Sequence, residues 1–599
     1  MAWSRSRCRC CSAGRPARCG GASDRPLRPG GNAFFTIARA SLDPKTEELQ
    51  VTEATGARSF HDAAARAAPL RAIGAVTEIA GSASQILLNL ETVNTLTNDP
   101  DPAIAAAGQI GSQVKIRAGG NWLIANVRAI RAAPEEERQA LATIDFLGEA
   151  DEDRATGGLH GFRRGVTRYP MPGTPVYPLA TADLHQMYAA DERAHIEIGT
   201  VYPTDNIRAA LQVDAMLGKH FALLGSTGTG KSTAAALILH RICDLSPEGH
   251  IVMIDPHGEY AAAFEGIGAL YDVSNLQMPY WLMNFEEHCE VLLTTSGSER
   301  QVDADILAKC LLAARSKNRL AQEIGKLTVD APIPYLLSDL TNILAQEMGK
   351  MDRAGDTAPY LRLKGKIDEI KADPRYAFMF SGMLVADTMA SFLSRVFRLP
   401  SGGKPISIID VSGVPSEITS VVVAVLSRMV FDFAIWSRNE PQRPILLVCE
   451  EAHRYVPNER NADASSVGRI LSRIAKEGRK YGVSLGLITQ RPSDLAEGVL
   501  SQCGTILSMR LNNDRDQAFV RAAMPEGARG FLDTIPALRN RECIISGEGV
   551  TTPVRVRFDS LDEAQRPASG DPLFSQLWRE TGGEEAILER TIRRWRAGR

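Results

Sequence analysis

The sequence predicts an α/β chain: a parallel-sheet core with a helical insertion, preceded by a small β-barrel. Three observations lead there. Short alternating apolar runs separated by Gly, Asn and Asp clusters fill the stretch from about Arg71 to Pro178. From about Leu179 apolar runs of strand length alternate with helical segments, the pattern of a parallel sheet with crossover helices. Between Ser296 and Pro400, as in DADILAKCLLAARSKNRLAQEI, helical periodicity persists with few strand signals.

The barrel runs are AIGAVTEI, SQILLNL, SQVKIRA, NWLIANVRAI and ALATIDFLGEA, and they assign 68–178 to this domain. In the core, 179–560, the expected strands are Phe221–Leu224, Ile251–Asp255, Ile406–Val411, Ile445–Cys449, Leu485–Thr489, Ile506–Leu511 and Cys543–Ser546, with the insertion at about 296–400. Residues 561–599 form a C-terminal extension. Residues 1–67 are expected to be disordered. The opening MAWSRSRCRCCSAGRPARCGG is Arg-rich and has no acid before Asp24, but it shows neither amphipathic periodicity nor a signal-type apolar core.

Composition bounds the function. At 599 residues the chain holds two to four domains, and its 44% hydrophobic and 23% charged residues are those of a globular protein. No apolar run approaches the roughly 18–20 residues that span a bilayer, so no membrane partner is expected. A net charge of −3 leaves any nucleic-acid contact to a local patch. Cys8, Cys10, Cys11 and Cys19 lack a second spaced pair for zinc, and the other cysteines are scattered, which points to the cytoplasm.

The chemistry begins at HFALLGSTGTGKSTAAALILHRI. Gly225 and Gly230 bracket Ser226, Thr227, Gly228 and Thr229, and Lys231, Ser232 and Thr233 follow, which gives G-x-x-x-x-G-K-[ST]. Phe221–Leu224 reads as a buried strand and Ala234–Ile242 as a helix, so the loop sits at a strand-to-helix turn. Without Cβ atoms the backbone can curl its N–H groups toward phosphate oxygens, helped by the helix N-terminus. Lys231 would reach the β/γ-phosphates of ATP and Ser232 would ligate Mg2+. The core is therefore expected to be a RecA-like phosphate-loop NTPase.

A hydrolase also needs an acid at the end of another buried strand. In PILLVCEEAHRYVP, Glu450 would hold Mg2+ through water and Glu451 would orient the attacking water; the plainer alternative is a helix N-terminus with acids favoured by its dipole. IVMIDPHGEY places Asp255 toward the phosphate site as a further metal-side carboxylate. Gln490, in VSLGLITQRPSDL, follows another strand and would sense the γ-phosphate, unless it only turns the chain before Pro492. RILSRIAKEGRKYG offers Arg479 and Arg473 as cations that could reach a neighbouring subunit's γ-phosphate, although most such charges are simply solvated.

In order, GSTGTGKST, IDPHGEY, IIDVSGV, LLVCEEAH, EGRKYG and ITQRPSDL resemble the HerA branch of the HerA/FtsK superfamily of motor ATPases. The β-rich segment is similar to the barrel that HerA proteins carry, and the resemblance covers about Arg71 to Asp559. It implies a homohexameric, ATP-driven translocase or helicase on double-stranded DNA, working with a nuclease or other effector in DNA end processing or anti-phage defence. Lys231, Ser232, Glu450, Glu451 and Gln490 sit on matching positions. The barrel is expected to form the collar on which the effector docks, and PNERNADASS, after the two-glutamate strand, is a candidate pore loop. The competing functions are an ATP-dependent scaffold that assembles an effector, and a peripheral conjugation or secretion motor.

Overall fold

The computed structural model describes residues 71–596 apart from 82, 134–136, 154–156, 351–355, 459–464, 525–527, 569–573 and 580–583. The segment 1–67 expected to be disordered, and most of the candidate pore loop, lie outside the described residues.

Seven strands make the first sheet: β1 (Gly74–Glu78), β2 (Ser84–Asn89), β3 (Gln113–Ala118), β4 (Asn121–Ala132), β5 (Gln139–Glu152), β6 (Leu159–Arg164) and β7 (Pro175–Pro178). Their order is β2-β1-β7-β3-β4-β5-β6, and β5 also pairs with β2, which closes six strands into a barrel. The 14-residue β5 makes this closure possible, since Gln139–Ile144 pair with β2 while Gly148–Glu152 pair with β6. Period-2 alternation sends Ile86, Leu88, Val114, Ile116, Val127, Ile144 and Val176 inward to a separate small core.

The second sheet has eleven strands: β8 (His195–Val201), β9 (Arg208–Gln212), β10 (Phe221–Leu224), β11 (Ile251–Asp255), β12 (Gly268–Tyr271), β13 (Ile406–Asp410), β14 (Ile445–Cys449), β15 (Val483–Thr489), β16 (Thr505–Ser508), β17 (Glu542–Gly547) and β18 (Val554–Phe558). The order is β12-β13-β11-β14-β15-β10-β16-β17-β18-β8-β9, parallel as far as β16 and antiparallel beyond it. The central strands are apolar throughout because helices cover both faces of a parallel sheet. β10 lies between β15 and β16, so the loop that follows it opens at the middle of the sheet. The expected strand Ile406–Val411 ends one residue earlier, and Ile506–Leu511 is shortened to Thr505–Ser508, after which Met509–Asn512 turn over the phosphate loop.

Among the described residues, 297–397 holds helices Gly297–Ser316, Leu337–Gly349, Ala358–Ala372 and Met389–Phe397 and no strand. Arg315, fully buried, ties this layer to the turn that precedes it by donating to the carbonyls of Trp281 and Met283, and braces the layer itself by donating to that of Val329. Helix Ser416–Trp436 corrects the expectation that no apolar run approaches membrane-spanning length, since by length and composition it qualifies. Two-thirds of its most apolar stretch is buried, and it packs on helix Ser466–Glu477 and on β14 and β15, as the core helix of an α/β domain does.

The barrel and the core meet at specific contacts. Arg164 of β6 donates to the carbonyls of Gly547, Val550 and Thr551 in the β17–β18 turn. Arg128 of β4 pairs with Asp533 at 3.0 Å. Gly530 fits between Asn126 and Asp145, where a Cβ would come within 2.6 Å of the Asn126 amide nitrogen.

Candidate active site

The phosphate loop is held on both flanks by backbone. Gly225 donates to the carbonyl of Thr489 at the end of β15, and Ser226 to that of Arg510 beyond β16. Met509 lies over the loop so closely that a Cβ on Gly225 would sit 2.9 Å from its Cβ. Gly230 takes φ 94°, a left-handed conformation that favours glycine, and launches the helix Lys231–Leu245. That helix starts three residues earlier and ends three later than the expected Ala234–Ile242. Thr229 is buried, its hydroxyl donating to the Ser226 carbonyl, and the Thr227 hydroxyl donates to Gln490 Oε1.

Lys231 turns inward, and its ammonium meets Glu450 Oε1 at 2.9 Å with both side chains more than nine-tenths buried. The other oxygen of Glu450 accepts from the Tyr260 phenol at 3.0 Å. Burial pushes the Glu450 carboxyl up and Glu451 adds to this, while Lys231 opposes it; the net direction is upward. A carboxylate so placed keeps its charge only beside a cation.

Glu451 is a different kind of acid. It adopts φ 51°, a conformation uncommon for a residue with a Cβ and typical of functional turns. Its Oε2 lies 3.2 Å from His453 Nδ1, which also contacts the Thr489 hydroxyl at 2.9 Å. Burial raises its carboxyl, but His453 and Lys231 outweigh that and hold it below the usual carboxylate range. The two adjacent glutamates are therefore pushed apart, one up and one down, by their surroundings.

Asp255, expected on the metal side, joins the network through backbone N–H groups. Its Oδ1 accepts from the N–H groups of His257 and Gly258, each at 3.0 Å, and its Oδ2 from that of Tyr260 at 2.9 Å. It organises the turn that brings Tyr260 back over the strand ends. Among the described residues no group of three or more His, Cys, Asp or Glu could hold a metal ion. The Ser232 hydroxyl and the Glu450 carboxylate are hard oxygen donors, which suit Mg2+ completed by phosphate and water.

Residues 196–430 match the family profile described as "Helicase HerA, central domain". The chain is an ATPase similar to the HerA helicases. It is 26% identical to the DNA double-strand break repair helicase HerA of Pyrococcus furiosus over 78% of this chain and 87% of the relative. It is also 26% identical to the probable DNA double-strand break repair helicase HerA of Methanocaldococcus jannaschii, over 70% and 86%. The solved VirB4 of Thermoanaerobacter pseudethanolicus superposes with TM-score 0.46 at 15% identity, covering 63% of this chain and 100% of that one.

Of the two candidate arginines, Arg479 lies away from its own phosphate loop. Arg479 lines a cavity of about 1010 Å3 together with Ile251, Ile445 and Val483, which begin β11, β14 and β15. The phosphate loop follows the opposite, carboxyl ends of the strands, a strand length or roughly 15–20 Å away. Arg473 stacks on Phe431 at 4.9 Å and approaches Glu477 at 3.5 Å. Sequence reasoning missed Tyr260, the Met509–Asn512 turn and Arg541, whose N–H donates to the Thr229 carbonyl. Tyr260 had one available signal, its place in IDPHGEY five residues beyond Asp255.

Proposed function

We propose that this HerA-like ATPase is an ATP-driven translocase or helicase on double-stranded DNA. It works as a homohexameric ring in the cytoplasm, with Mg2+ accompanying ATP. The observation that carries this reading is the wiring of three strand ends. Lys231–Glu450 joins the phosphate loop to β14, and Thr227–Gln490 joins it to β15. Lys231 would bind the β- and γ-phosphates, Ser232 and, through water, Glu450 would hold Mg2+, Glu451 would orient the attacking water and accept its proton, and Gln490 would register the γ-phosphate. Mg2+, when bound, would supply neutralisation of phosphate charge.

A ring fits this site because Arg479 stands a strand length from its own loop, where a neighbouring subunit's phosphate can meet it; Arg473, stacked on Phe431, is the second candidate. DNA is favoured as the track because the sequence relatives are named as DNA double-strand break repair helicases. Contact through phosphates makes binding depend on salt rather than on sequence. A nuclease or other effector docks on the barrel collar, where Ile130, Tyr169 and Met171 are exposed and six copies would multiply a weak contact. The choice between end processing and anti-phage defence follows from that effector.

The test is Mg2+-dependent ATP hydrolysis with and without double-stranded DNA, alongside light scattering. Hexamers with DNA-stimulated turnover support the reading. A strict monomer in the presence of nucleotide and DNA, or turnover indifferent to DNA, overturns it.

A further inference from the structure

Tyr260 is fully buried, and a hydroxyl in the middle of a protein needs a partner. Its O–H donates to Glu450 Oε2 at 3.0 Å. A carboxylate that ligates a metal is itself held by hydrogen bonds, which fix its orientation. The phenol holds Oε2 in this way and leaves Oε1, the oxygen on the Lys231 ammonium, as the one free to face a cation once Lys231 is engaged by phosphate.

The chain reaches this place by design of the turn before it. Asp255 ends β11, next to β14 in the parallel sheet, and gathers the N–H groups of His257, Gly258 and Tyr260. Gly258 takes φ 69° close against Asp410, which ends β13. The turn folds the side chain of Tyr260 over the end of β14, where Glu450 follows the strand, instead of letting it run on with the loop.

We propose that Tyr260 is a positioning residue of the magnesium site, its phenol fixing the orientation of the Glu450 carboxylate. This rests on the ATP and Mg2+ reading above. It assigns the IDPHGEY turn a purpose: Asp255 acts on the metal through Tyr260 rather than as a ligand.

The experiment titrates Mg2+ against the affinity of the full chain for a fluorescent, non-hydrolysable ATP analogue, with a parallel measurement in EDTA. Tyr260→Phe keeps the ring and its packing and removes only the hydroxyl. The expected result is a rise of about tenfold or more in the Mg2+ concentration giving half of the affinity gain. Affinity in EDTA, which also reports folding, should stay within about twofold of the parent because the phosphate loop is untouched. If Tyr260→Phe fails to fold, Asp255→Asn loosens the same turn with the phenol intact and should show the same selective shift. An unchanged Mg2+ midpoint in a variant that binds nucleotide in EDTA overturns the role of Tyr260. A parent whose nucleotide affinity ignores Mg2+ overturns the magnesium reading itself, and this proposal with it.

Discussion

Replacing Lys231 by Ala in the nucleotide-free protein leaves Glu450 buried and without its cation, held only by the Tyr260 phenol. Breaking a buried pair by removing one partner costs about 3–5 kcal/mol, because the remaining charge has lost its water and its counter-charge. In a folding unit of several hundred residues that corresponds to a fall of about 3–10 °C in Tm. The loss should depend on pH, and the sign follows from the direction of the Glu450 shift. Its carboxyl is already raised by burial, with Lys231 opposing, and removal of Lys231 raises it further. The folded state then keeps a proton that the unfolded chain releases, so stability is intact below the ordinary carboxylate value and is lost as pH rises through that value toward the folded one. Calorimetry of Lys231→Ala against the parent should therefore show a larger Tm deficit at pH 8 than at pH 5. Lys231→Met combined with Glu450→Gln, a neutral pair of similar size, should recover most of the deficit while remaining unable to hydrolyse ATP. Equal deficits at both pH values, or no recovery in the double variant, would refute the reasoning.

Three further outcomes are expected. Glu451→Gln should bind MgATP nearly as well as the parent but turn it over about 10^2–10^4-fold more slowly, measured by phosphate release. His453→Ala should move the acid limb of the kcat profile to higher pH, because His453 is the leading influence that holds the Glu451 carboxyl down against burial; an unmoved limb contradicts this. In mixed rings of Arg479→Ala and Glu451→Gln subunits hydrolysis should partly return if Arg479 acts on the neighbouring site, and rescue by Arg473→Ala mixtures alone would transfer that role.

What could be read from the chain follows burial. FALL, IVMID and ILLVC are continuous apolar runs because their strands are covered on both faces, and each was visible at full length. The strands that escaped notice sit where that coverage ends. HIEIGTV and RAALQ mix polar residues at one edge of the large sheet, GALY is a four-residue strand at the other edge, and VRVRF alternates arginine with apolar side chains. PVYP, four residues with a proline at each end, reads as a turn, yet it fills the gap between β1 and β3 and completes the barrel. At the site, the phosphate loop and the paired glutamates announce themselves by spacing. The function of Asp255 does not, since a carboxylate at a strand end looks the same whether it holds a metal or three backbone N–H groups. Tyr260 depends on that turn, and so it too becomes visible only in three dimensions.

The central claim is that ATP hydrolysis at Lys231, Glu450 and Glu451 drives movement along double-stranded DNA. Displacement of a fluorescent third strand from a duplex track, followed in real time, measures that movement without requiring the duplex to open. The account predicts ATP- and Mg2+-dependent displacement whose delay lengthens with the distance to the third strand, and its loss in Glu451→Gln with DNA binding retained. Displacement by Glu451→Gln at the parent's rate, or none by a parent that hydrolyses ATP on the same DNA, would contradict it.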